Sequence, residues 1–318
     1  MKHGYNKWIL FLSFACVYVI WGSTYLAILF GLKGFAPFLL CAIRFLLAGF
    51  IILSWCFIRG EKRPSIRSIR INSICGACML FAGVGSVCWA EQYLPSSLAA
   101  IIVTALPFWF VILDKRQWSF YFSNKFIMAG LLIGFAGVAL LLGFGKQSSF
   151  SPDEKHKQVI ATMVLLMGGI CWSFGSLYSK YHKTGDSFLM NGGIQFFIAG
   201  LLSLVVSGIS GEWNNFQWIR VGNRAWLAVG YLVSMGSLVT YLAYLFLLKV
   251  KPAAQVSTYV YVNPVVALFL GVWLAHESIT PLRIVALSII LIGVLLVNIP
   301  VYKPGAGKES NKKVPEPA

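Results

Sequence analysis

The hydrophobic pattern of this chain is a succession of long apolar runs separated by short polar connections. An apolar helix of about 20 residues crosses the ~30 Å hydrocarbon core of a bilayer, with its backbone hydrogen bonds made internally. The pattern predicts such helices at Trp8–Phe30, Pro37–Ile58, Asn72–Ala90, Ser96–Leu113, Phe126–Gly143, Val159–Ser179, Phe188–Ile209, Ala225–Leu248, Ala253–Ala275 and Leu282–Ile299. The connections are too short to bury a core of their own. We therefore predict an all-α polytopic membrane protein with ten transmembrane helices.

The composition favours the same fold class. The 318 residues are 58% hydrophobic and 11% charged, with a mean hydropathy of +0.77, whereas soluble domains carry about 25% charged residues. These values exclude an ordinary soluble enzyme, a disordered chain and a nucleic-acid binder. The first apolar run is longer than that of a signal peptide and precedes no small-residue cleavage site, so we expect it in the mature protein. Residues 302–318, rich in Lys, Gly, Pro and Glu, are predicted to be a disordered tail.

The net charge of +16 is informative only by position. Lys and Arg accumulate in the cytoplasmic loops of membrane proteins. With the amino terminus placed inside, 18 of the 26 Lys and Arg residues fall on the cytoplasmic side and 7 on the other, while Arg44 lies within a helix. We therefore predict a cell membrane protein with both termini and the tail in the cytoplasm. The predicted partner of the chain is the lipid bilayer, not nucleic acid.

The chain also repeats itself at an offset of 151 to 157 residues. The matching segments are Trp21 and Trp172, Arg44–Gly49 and Gln195–Gly200, Pro95 to Pro107 and Pro252 to Pro264, and Gly137-Val138 and Gly293-Val294. Four matches in order indicate a duplicated unit, with copies in residues 1–148 and 156–301. Each copy holds five predicted helices, an odd number, so the second copy is expected to be inverted. Inverted repeats place a binding site near the midplane and permit alternating access.

Distinctive segments occur in both copies. They are Trp21-Gly-Ser-Thr-Tyr25, Arg44-Phe-Leu-Leu-Ala-Gly49, Trp89-Ala-Glu-Gln-Tyr-Leu-Pro-Ser-Ser-Leu-Ala-Ala100 and Pro107-Phe-Trp109, followed by Pro252-Ala-Ala254, Asn263-Pro264 and Glu277-x-x-Thr280. These segments resemble the EamA-type carriers of the drug/metabolite transporter superfamily. The resemblance implies ten helices in two inverted EamA repeats and, usually, export of small metabolites, amino acids or toxic analogues. One asymmetry is that Gln195 stands where the first copy has Arg44.

Arg44 and Glu91 are the leading ionisable candidates. A cation at the centre of a membrane helix costs about 2.5–3.5 kcal/mol, so Arg44 is expected to face a wet cavity or a partner. Two interpretations are open: a structural ion pair with Glu91 at similar depth, or contact with an anionic group of a substrate. Glu91 itself is either an exposed loop carboxylate or, if buried, a proton-coupled switch with a raised pKa.

An aromatic and amide set is predicted to form an amphipathic pocket, with apolar faces and a few hydrogen-bonding tips. With the ionisable candidates, the predicted substrate-binding residues are Trp21, Tyr25, Arg44, Trp89, Glu91, Gln92, Trp109, Trp172, Tyr178, Gln195, Tyr241, Tyr259 and Asn263. For any single aromatic, lipid contact or packing is the stronger interpretation. Trp21 and Trp172 rank first because the repeat relates them.

Pro107 and Pro264 stand inside apolar runs, where each ring removes one backbone hydrogen bond. Such a break either lines a cavity or only kinks the helix for packing. The matched positions of the two prolines in the repeat favour the cavity. Gly130-x-x-x-Gly134 is predicted to let neighbouring helices approach closely.

Other chemistry is scarce in the sequence. The seven Cys lie mostly in apolar runs, the four His lack metal-ligand spacing, and no Walker-type loop or protease motif occurs, so we predict no metal and no cofactor. The predicted function is that of a secondary transporter, not an enzyme. It would export small-molecule substrates, driven by proton coupling or by the solute's own gradient, as a monomer or homodimer. The alternatives are an intramembrane enzyme acting on lipid or isoprenoid substrates and a non-transporting signalling or scaffold protein.

Overall fold

The structure, a computed structural model, describes residues 7–144, 152–214, 216–250, 256, 259–277 and 280–302. The principal helices are α1 (Lys7–Gly31), α2 (Pro37–Ile58), α3 (Ile66–Ala90), α4 (Ser96–Leu113), α5 (Lys125–Phe144), α6 (Pro152–Tyr181), α7 (Phe188–Ile209), α8 (Asn223–Val250), α9 (Tyr259–Ala275) and α10 (Pro281–Tyr302). A short helix at Trp118–Ser123 and 3-10 turns at Lys115–Gln117 and Trp218–Arg220 lie in the connections. The described residues contain no strand.

The bundle has the dimensions and surface of a multi-pass membrane protein. Seven helices are long and apolar enough to cross a bilayer: α1, α2, α3, α4, α6, α7 and α8. Within the described residues, the apolar stretches of α5, α9 and α10 are shorter, at Lys125–Gly137, Val262–Ala275 and Pro281–Val297. Large apolar side chains are exposed around the bundle, among them Trp8, Phe50, Ile209, Leu227 and Trp273. An apolar exterior of this extent requires lipid as its solvent.

The predicted helix bounds differ clearly from the structure at α3 and at α6, which begins at Pro152 instead of Val159. The bounds of α2, α4 and α7 are those predicted. Helix α3 begins at Ile66 instead of Asn72 because its polar first turns are capped by Ser65, whose hydroxyl accepts from the Ser68 N–H at 3.2 Å. Hydropathy does not detect such turns. The predicted ninth helix begins outside the described residues. Residues 303–318 of the predicted tail also lie outside them.

Several helices depart from regular α geometry in mid-span. Helices α1, α3 and α8 contain π segments at Cys16–Ile20, Gly76–Val84 and Leu232–Tyr241. Helix α4 is interrupted between Val103 and Leu106. Because π turns change the backbone hydrogen-bond register, they re-aim carbonyls and side chains, and they are frequent at functional sites.

Helices α2 and α7 approach each other through matching glycines. A Cβ at Gly49 would lie 2.7 Å from the Phe197 nitrogen, and a Cβ at Gly200 would lie 2.7 Å from the Leu46 nitrogen. Both distances are too short for any larger residue. The same pair of contacts is therefore made twice, once from each helix.

The ends of α2 and α7 exchange caps in the same reciprocal manner. Glu61, after α2, accepts from the Ser187 hydroxyl at 2.7 Å, at the start of α7. Glu212, after α7, accepts from the Phe38 and Leu39 N–H groups at 3.2 and 2.7 Å, at the start of α2. Carboxylates favour the unpaired N–H groups of a helix start. Since each helix ends where the other begins, α2 and α7 are antiparallel.

Helices α5 and α10 form a second close pair. A Cβ at Gly130 would lie 2.5 Å from the Gly293 carbonyl oxygen, and one at Gly293 would lie 2.6 Å from the Gly134 nitrogen. A Cβ at Gly137 would meet Ile290 at 2.7 Å. The close approach predicted for Gly130-x-x-x-Gly134 is confirmed.

Candidate functional site

A cavity lies among α1, α2, α3, α4, α6 and α9. Six of the predicted substrate-binding residues line it: Trp21, Tyr25, Arg44, Trp172, Tyr259 and Asn263. Helices of both copies of the repeat therefore contribute to one space.

An aromatic cluster surrounds one end of the cavity. The ring centroid of Trp21 lies 5.6 Å from that of Trp172, 5.0 Å from Tyr244 and 5.1 Å from Tyr259. Tyr244 also lies 5.6 Å from Trp172. The rings meet edge to face or tilted, as aromatic pairs prefer. The two tryptophans that the repeat offset relates thus lie side by side.

Arg44 carries the formal charge of the cavity lining. Its side chain is 4% exposed, and its Nε donates to the Ser237 hydroxyl at 3.0 Å. Among the described residues, its Nη1 has no hydrogen-bond partner, and neither oxygen of Glu91 has one. The ion pair between Arg44 and Glu91, one of the two sequence interpretations, is therefore not formed in this structure.

The π segment of α8 supplies the contacts of both Arg44 and Trp21. Besides the Ser237 hydroxyl, it presents the Gly236 carbonyl, which accepts from Trp21 Nε1 at 3.4 Å. A Cβ at Gly236 would lie 3.0 Å from Arg44 Nη2. A side chain at this position would crowd the guanidinium, so glycine leaves room for it.

Gln195 holds the matching position on α7 but does not line the cavity. It is 1% exposed. Its Nε2 donates to Asn72 Oδ1 at 2.7 Å, and its Oε1 accepts from the Tyr241 hydroxyl. The Tyr241 ring in turn lies 6.4 Å from the Trp172 ring. Gln195 therefore links α3, α7 and α8 behind the aromatic cluster.

A chain of hydrogen bonds continues from Gln195 to the connection between α6 and α7. Asn72 Nδ2 donates to Asn191 Oδ1 at 2.7 Å, which also accepts from the Thr184 hydroxyl at 2.9 Å. The same Asn72 amide donates to the Ser68 hydroxyl at 3.2 Å, and Ser68 donates to Asp186. We call this set, from Tyr241 through Gln195 and Asn72 to Asp186, the polar chain.

Glu91 lies just past the end of α3 and is 4% exposed. Burial raises the pKa of this carboxyl well above its usual value, and the nearby Cys88 thiol and Glu277 carboxylate raise it further. The interpretation of Glu91 as an exposed loop carboxylate is therefore wrong. Its role in proton binding stays a prediction.

Glu277 joins the connection before α10 to the start of α4. Its carboxylate accepts from the N–H groups of Ser96 and Ser97 at 2.8 and 3.1 Å, and from both serine hydroxyls. These groups carry the partial positive charge of a helix start. A fully bonded carboxylate thus lies close to the unbonded Glu91.

Asn263 bonds to a neighbouring helix, and the two prolines differ in whether their own helix is interrupted. With its amide nitrogen turned toward α1, Asn263 donates to the carbonyls of Val17 and Tyr18 at 3.1 and 2.7 Å, in the π segment of α1. Pro264 follows within a continuous α9. Pro107 instead lies in the first turn after the interruption of α4.

Besides Glu91, Gln195 and Tyr241, four predicted residues lie away from the lining: Trp89, Gln92, Trp109 and Tyr178. Gln92 is exposed and donates to the Trp89 carbonyl at 3.0 Å. Tyr178 stacks on His182, with ring centroids 4.0 Å apart. Trp109 is one layer behind the cavity, since a Cβ at the lining residue Gly169 would lie 3.2 Å from its ring. A substrate role for these four residues stays a prediction.

Sequence reasoning missed Asn72, which bonds to Gln195, Ser237, which bonds to Arg44, and Tyr244, which packs on Trp21. It also missed the lining residues Thr24 and Ser86. Small polar residues inside apolar helices were a visible signal. Their hydrogen-bond partners lie on other helices, however, and local spacing does not identify those.

The described residues contain no group of three His, Cys, Asp or Glu side chains that could hold a metal ion. The seven Cys are free. The chemistry that remains in the cavity is one cation, several aromatic faces and a few hydroxyl and amide groups. Such a site can bind and orient a small molecule.

Comparisons with known proteins agree with these features. The EamA-like transporter family matches residues 6–143 and 159–299. The uncharacterized inner membrane transporter YedA of Escherichia coli (strain K12) is 34% identical over 294 residues, which is 92% of each chain. The uncharacterized transporter YvbV of Bacillus subtilis (strain 168) is 26% identical over 298 residues, which is 90% of each chain.

A solved crystal structure also has a similar fold. Its TM-score is 0.64 at 18% sequence identity, over 94% of this chain and all of its own. The family match spans both copies of the repeat, and the similarity to YedA extends over nearly the whole chain. This protein is therefore a multi-pass membrane protein that belongs to the EamA-like transporter family, within the drug/metabolite transporter superfamily.

Proposed function

We propose that this chain is a secondary transporter that exports small organic metabolites, such as amino acids or drug-like analogues, by alternating access between two inverted five-helix repeats. The observation that carries the proposal is the meeting of Trp21 and Trp172 at 5.6 Å in one cavity. These residues hold the same position in the two copies. A site shared by two equivalent halves is what a rocking mechanism requires.

The reciprocal helix contacts support two inverted repeats of five spans, in residues 1–148 and 156–301. Gly49 and Gly200 make the same approach in opposite directions, and Glu61 and Glu212 each bond to the start of the opposite helix, Glu61 through the Ser187 hydroxyl and Glu212 through two backbone N–H groups. Exchanged contacts of this kind arise when a two-fold axis relates two antiparallel helices. In this proposal α5, α9 and α10 complete the ten spans.

The charge asymmetry of the sequence supports an inner (plasma) membrane protein with both termini in the cytoplasm. With that orientation, Glu91 and Glu277 belong to the outer end of the bundle, and Ser68 and Asp186 to the cytoplasmic end. One chain supplies both walls of the cavity. We therefore expect each chain to be a complete transport unit, whether the protein is a monomer or a homodimer.

The polar chain closes the cytoplasmic end of the cavity in this mechanism. It joins α3 of the first copy to α7 and α8 of the second through Asn72 and Gln195. A solute entering from the cytoplasm would separate these helices. The hydrogen bonds between Asn72, Gln195 and Asn191 would then break, and hydrogen bonds to water would replace them at modest net cost in free energy.

Glu91 is the residue that would couple opening to protons. The groups that face it are the Cys88 thiol, the Tyr25 hydroxyl and the Glu277 carboxylate, which is itself near Arg283. A buried carboxyl is favoured in its protonated form, whereas hydration allows it to ionise. Proton uptake from outside would therefore stabilise the state in which Glu91 is buried, and coupling requires that the proton then leave to the cytoplasm when the cavity opens to that side.

The test is the metabolite profile of cells that overproduce the intact chain or Trp172→Ala at the same membrane level. We expect at least one small organic solute to rise in the medium only with the intact chain. Purified protein in liposomes loaded with that solute should then release it, faster when a proton gradient is imposed. Identical profiles inside and outside the cells for both chains would overturn the proposal, and accumulation inside would overturn the direction.

A further inference from the structure

We propose that the cavity selects organic anions: small carboxylates that carry a planar apolar portion and no ammonium group. This inference rests on the proposed transport function and narrows its solute class. It starts from the charge balance of the cavity. Among the residues that the structure describes, the lining contains the Arg44 guanidinium and no carboxylate.

No protein group neutralises Arg44 within the described structure. Ser237 offers it a neutral hydroxyl, and its Nη1 is without a hydrogen bond. Glu91 makes no ion pair with it. A buried cation without a counter-ion is unfavourable, so binding of an anion in the cavity would be favoured. A cationic solute would add to the unfavourable charge.

The guanidinium is also held in a suitable orientation for a carboxylate. The Nε bond to Ser237 at 3.0 Å fixes the plane of the group. The missing side chain at Gly236 leaves space at Nη2, which a Cβ there would approach to 3.0 Å. A planar arginine fork binds the two oxygens of a carboxylate in parallel. Lysine could not make this pair of contacts.

The rest of the lining is aromatic or neutral. Trp21, Trp172 and Tyr259 present aromatic surface beside Arg44. The Thr24 hydroxyl donates to the Trp21 carbonyl at 2.7 Å, and the Ser86 hydroxyl donates to the Gly83 carbonyl at 2.6 Å, so the two hydroxyls are neutral groups bonded to their own helices. A zwitterion would bury its ammonium among these groups without a carboxylate partner.

The experiment measures binding of four probes to the full-length purified protein in lipid nanodiscs. The probes share a phenylpropyl framework: 3-phenylpropanoate, 3-phenylpropanamide, 3-phenylpropylamine and L-phenylalanine. Tryptophan fluorescence at the Trp21 and Trp172 cluster and the shift in melting temperature report binding. We expect 3-phenylpropanoate to bind at least about tenfold more tightly than the other three, as a charged hydrogen bond implies.

Two variants, one within α2 and one at the residue just after its end, complete the design. Arg44→Gln should lose the preference for the anion, whereas the matched control Arg59→Gln, at an exposed arginine that stacks on Trp55, should keep it. Chloride and acetate at equal ionic strength distinguish an organic-anion site from a site for any small anion. If Arg44→Gln does not fold, the ranking of the four probes on the intact protein still decides.

Several results would overturn the inference. They are equal binding of 3-phenylpropanoate and its amide, tighter binding of L-phenylalanine, no binding of 3-phenylpropanoate, an anion preference that survives Arg44→Gln, or full competition by chloride. Failure of the transport proposal is distinguishable from these. In that case 3-phenylpropanoate binds as expected, but neither cells nor liposomes move any solute.

Discussion

Arg44 and Gln195 occupy equivalent positions in the two copies of the repeat, yet their surroundings are opposite in kind. Arg44 lines the cavity with part of its guanidinium unbonded. Gln195 is out of the cavity, with both ends of its amide bonded to Asn72 and Tyr241. A fully bonded polar group is a structural link, whereas a charge without a partner is available to a ligand. The two positions thus share one helix pairing but differ in their hydrogen bonds.

The largest effect is expected from Gln195→Arg, which makes the second copy resemble the first. The substitution would bury a cation among neutral groups and leave the Tyr241 hydroxyl without its acceptor. An uncompensated buried charge costs about 3–5 kcal/mol. We expect a large loss of folded protein in membranes and a melting temperature well below that of the intact chain. Normal yield and stability of Gln195→Arg would mean that this position, like that of Arg44, can accommodate a cation.

Arg44→Gln makes the complementary change and is expected to affect function more than stability. It removes one hydrogen bond to Ser237 but also a buried unpaired charge, so the melting temperature should stay close to that of the intact chain. Transport of the solute found by metabolite profiling should fall about tenfold to hundredfold, as loss of a charged hydrogen bond predicts. Equal losses of stability and transport would instead indicate a structural role for Arg44.

Asn72→Ala tests the polar chain itself. The Gln195 Nε2 group would lose its acceptor, and Asn191 would lose a donor. Leaving buried polar groups without partners costs about 1–3 kcal/mol. We expect a lower melting temperature with probe binding at Arg44 retained. Ser234→Ala, at a half-buried serine whose hydroxyl donates to Gly230 in the same helix, is the control and should change little.

Glu91→Gln is expected to have a pH-dependent effect on stability, which is smallest at low pH. This pH dependence distinguishes Glu91→Gln from Arg44→Gln. Because burial raises the pKa of Glu91 in the folded protein, its protonated form is stabilised. Stability is fully present below the unfolded pKa of about 4.3 and is lost as the pH rises through the folded value. The two melting curves should coincide near pH 4, and the variant should be the more stable one at alkaline pH. Parallel pH profiles of stability and transport in the two proteins would contradict both the burial effect and proton coupling.

Much of the fold followed from local pattern. The bounds of α2, α4 and α7 were predicted because apolar length is a property of consecutive residues. The repeat offset ranked Trp21 and Trp172 first among the aromatic candidates, and both line the cavity. In all, six of the thirteen predicted binding residues line it. The polar start of α3 was missed because its stability comes from a cap and from buried hydrogen bonds, not from hydropathy.

The sequence by itself determined a helical membrane protein of the EamA-like family with a duplicated unit, since length, hydropathy, charge bias and repeat offsets are all written along the chain. Only the tertiary structure decided which polar residues are partners. In that structure Gln195 bonds to Asn72, Arg44 lines the cavity and makes no ion pair with Glu91, and Glu91 is buried near Glu277. The rotation of each helix and the π segments determine these contacts. Both depend on packing between residues that are far apart in sequence.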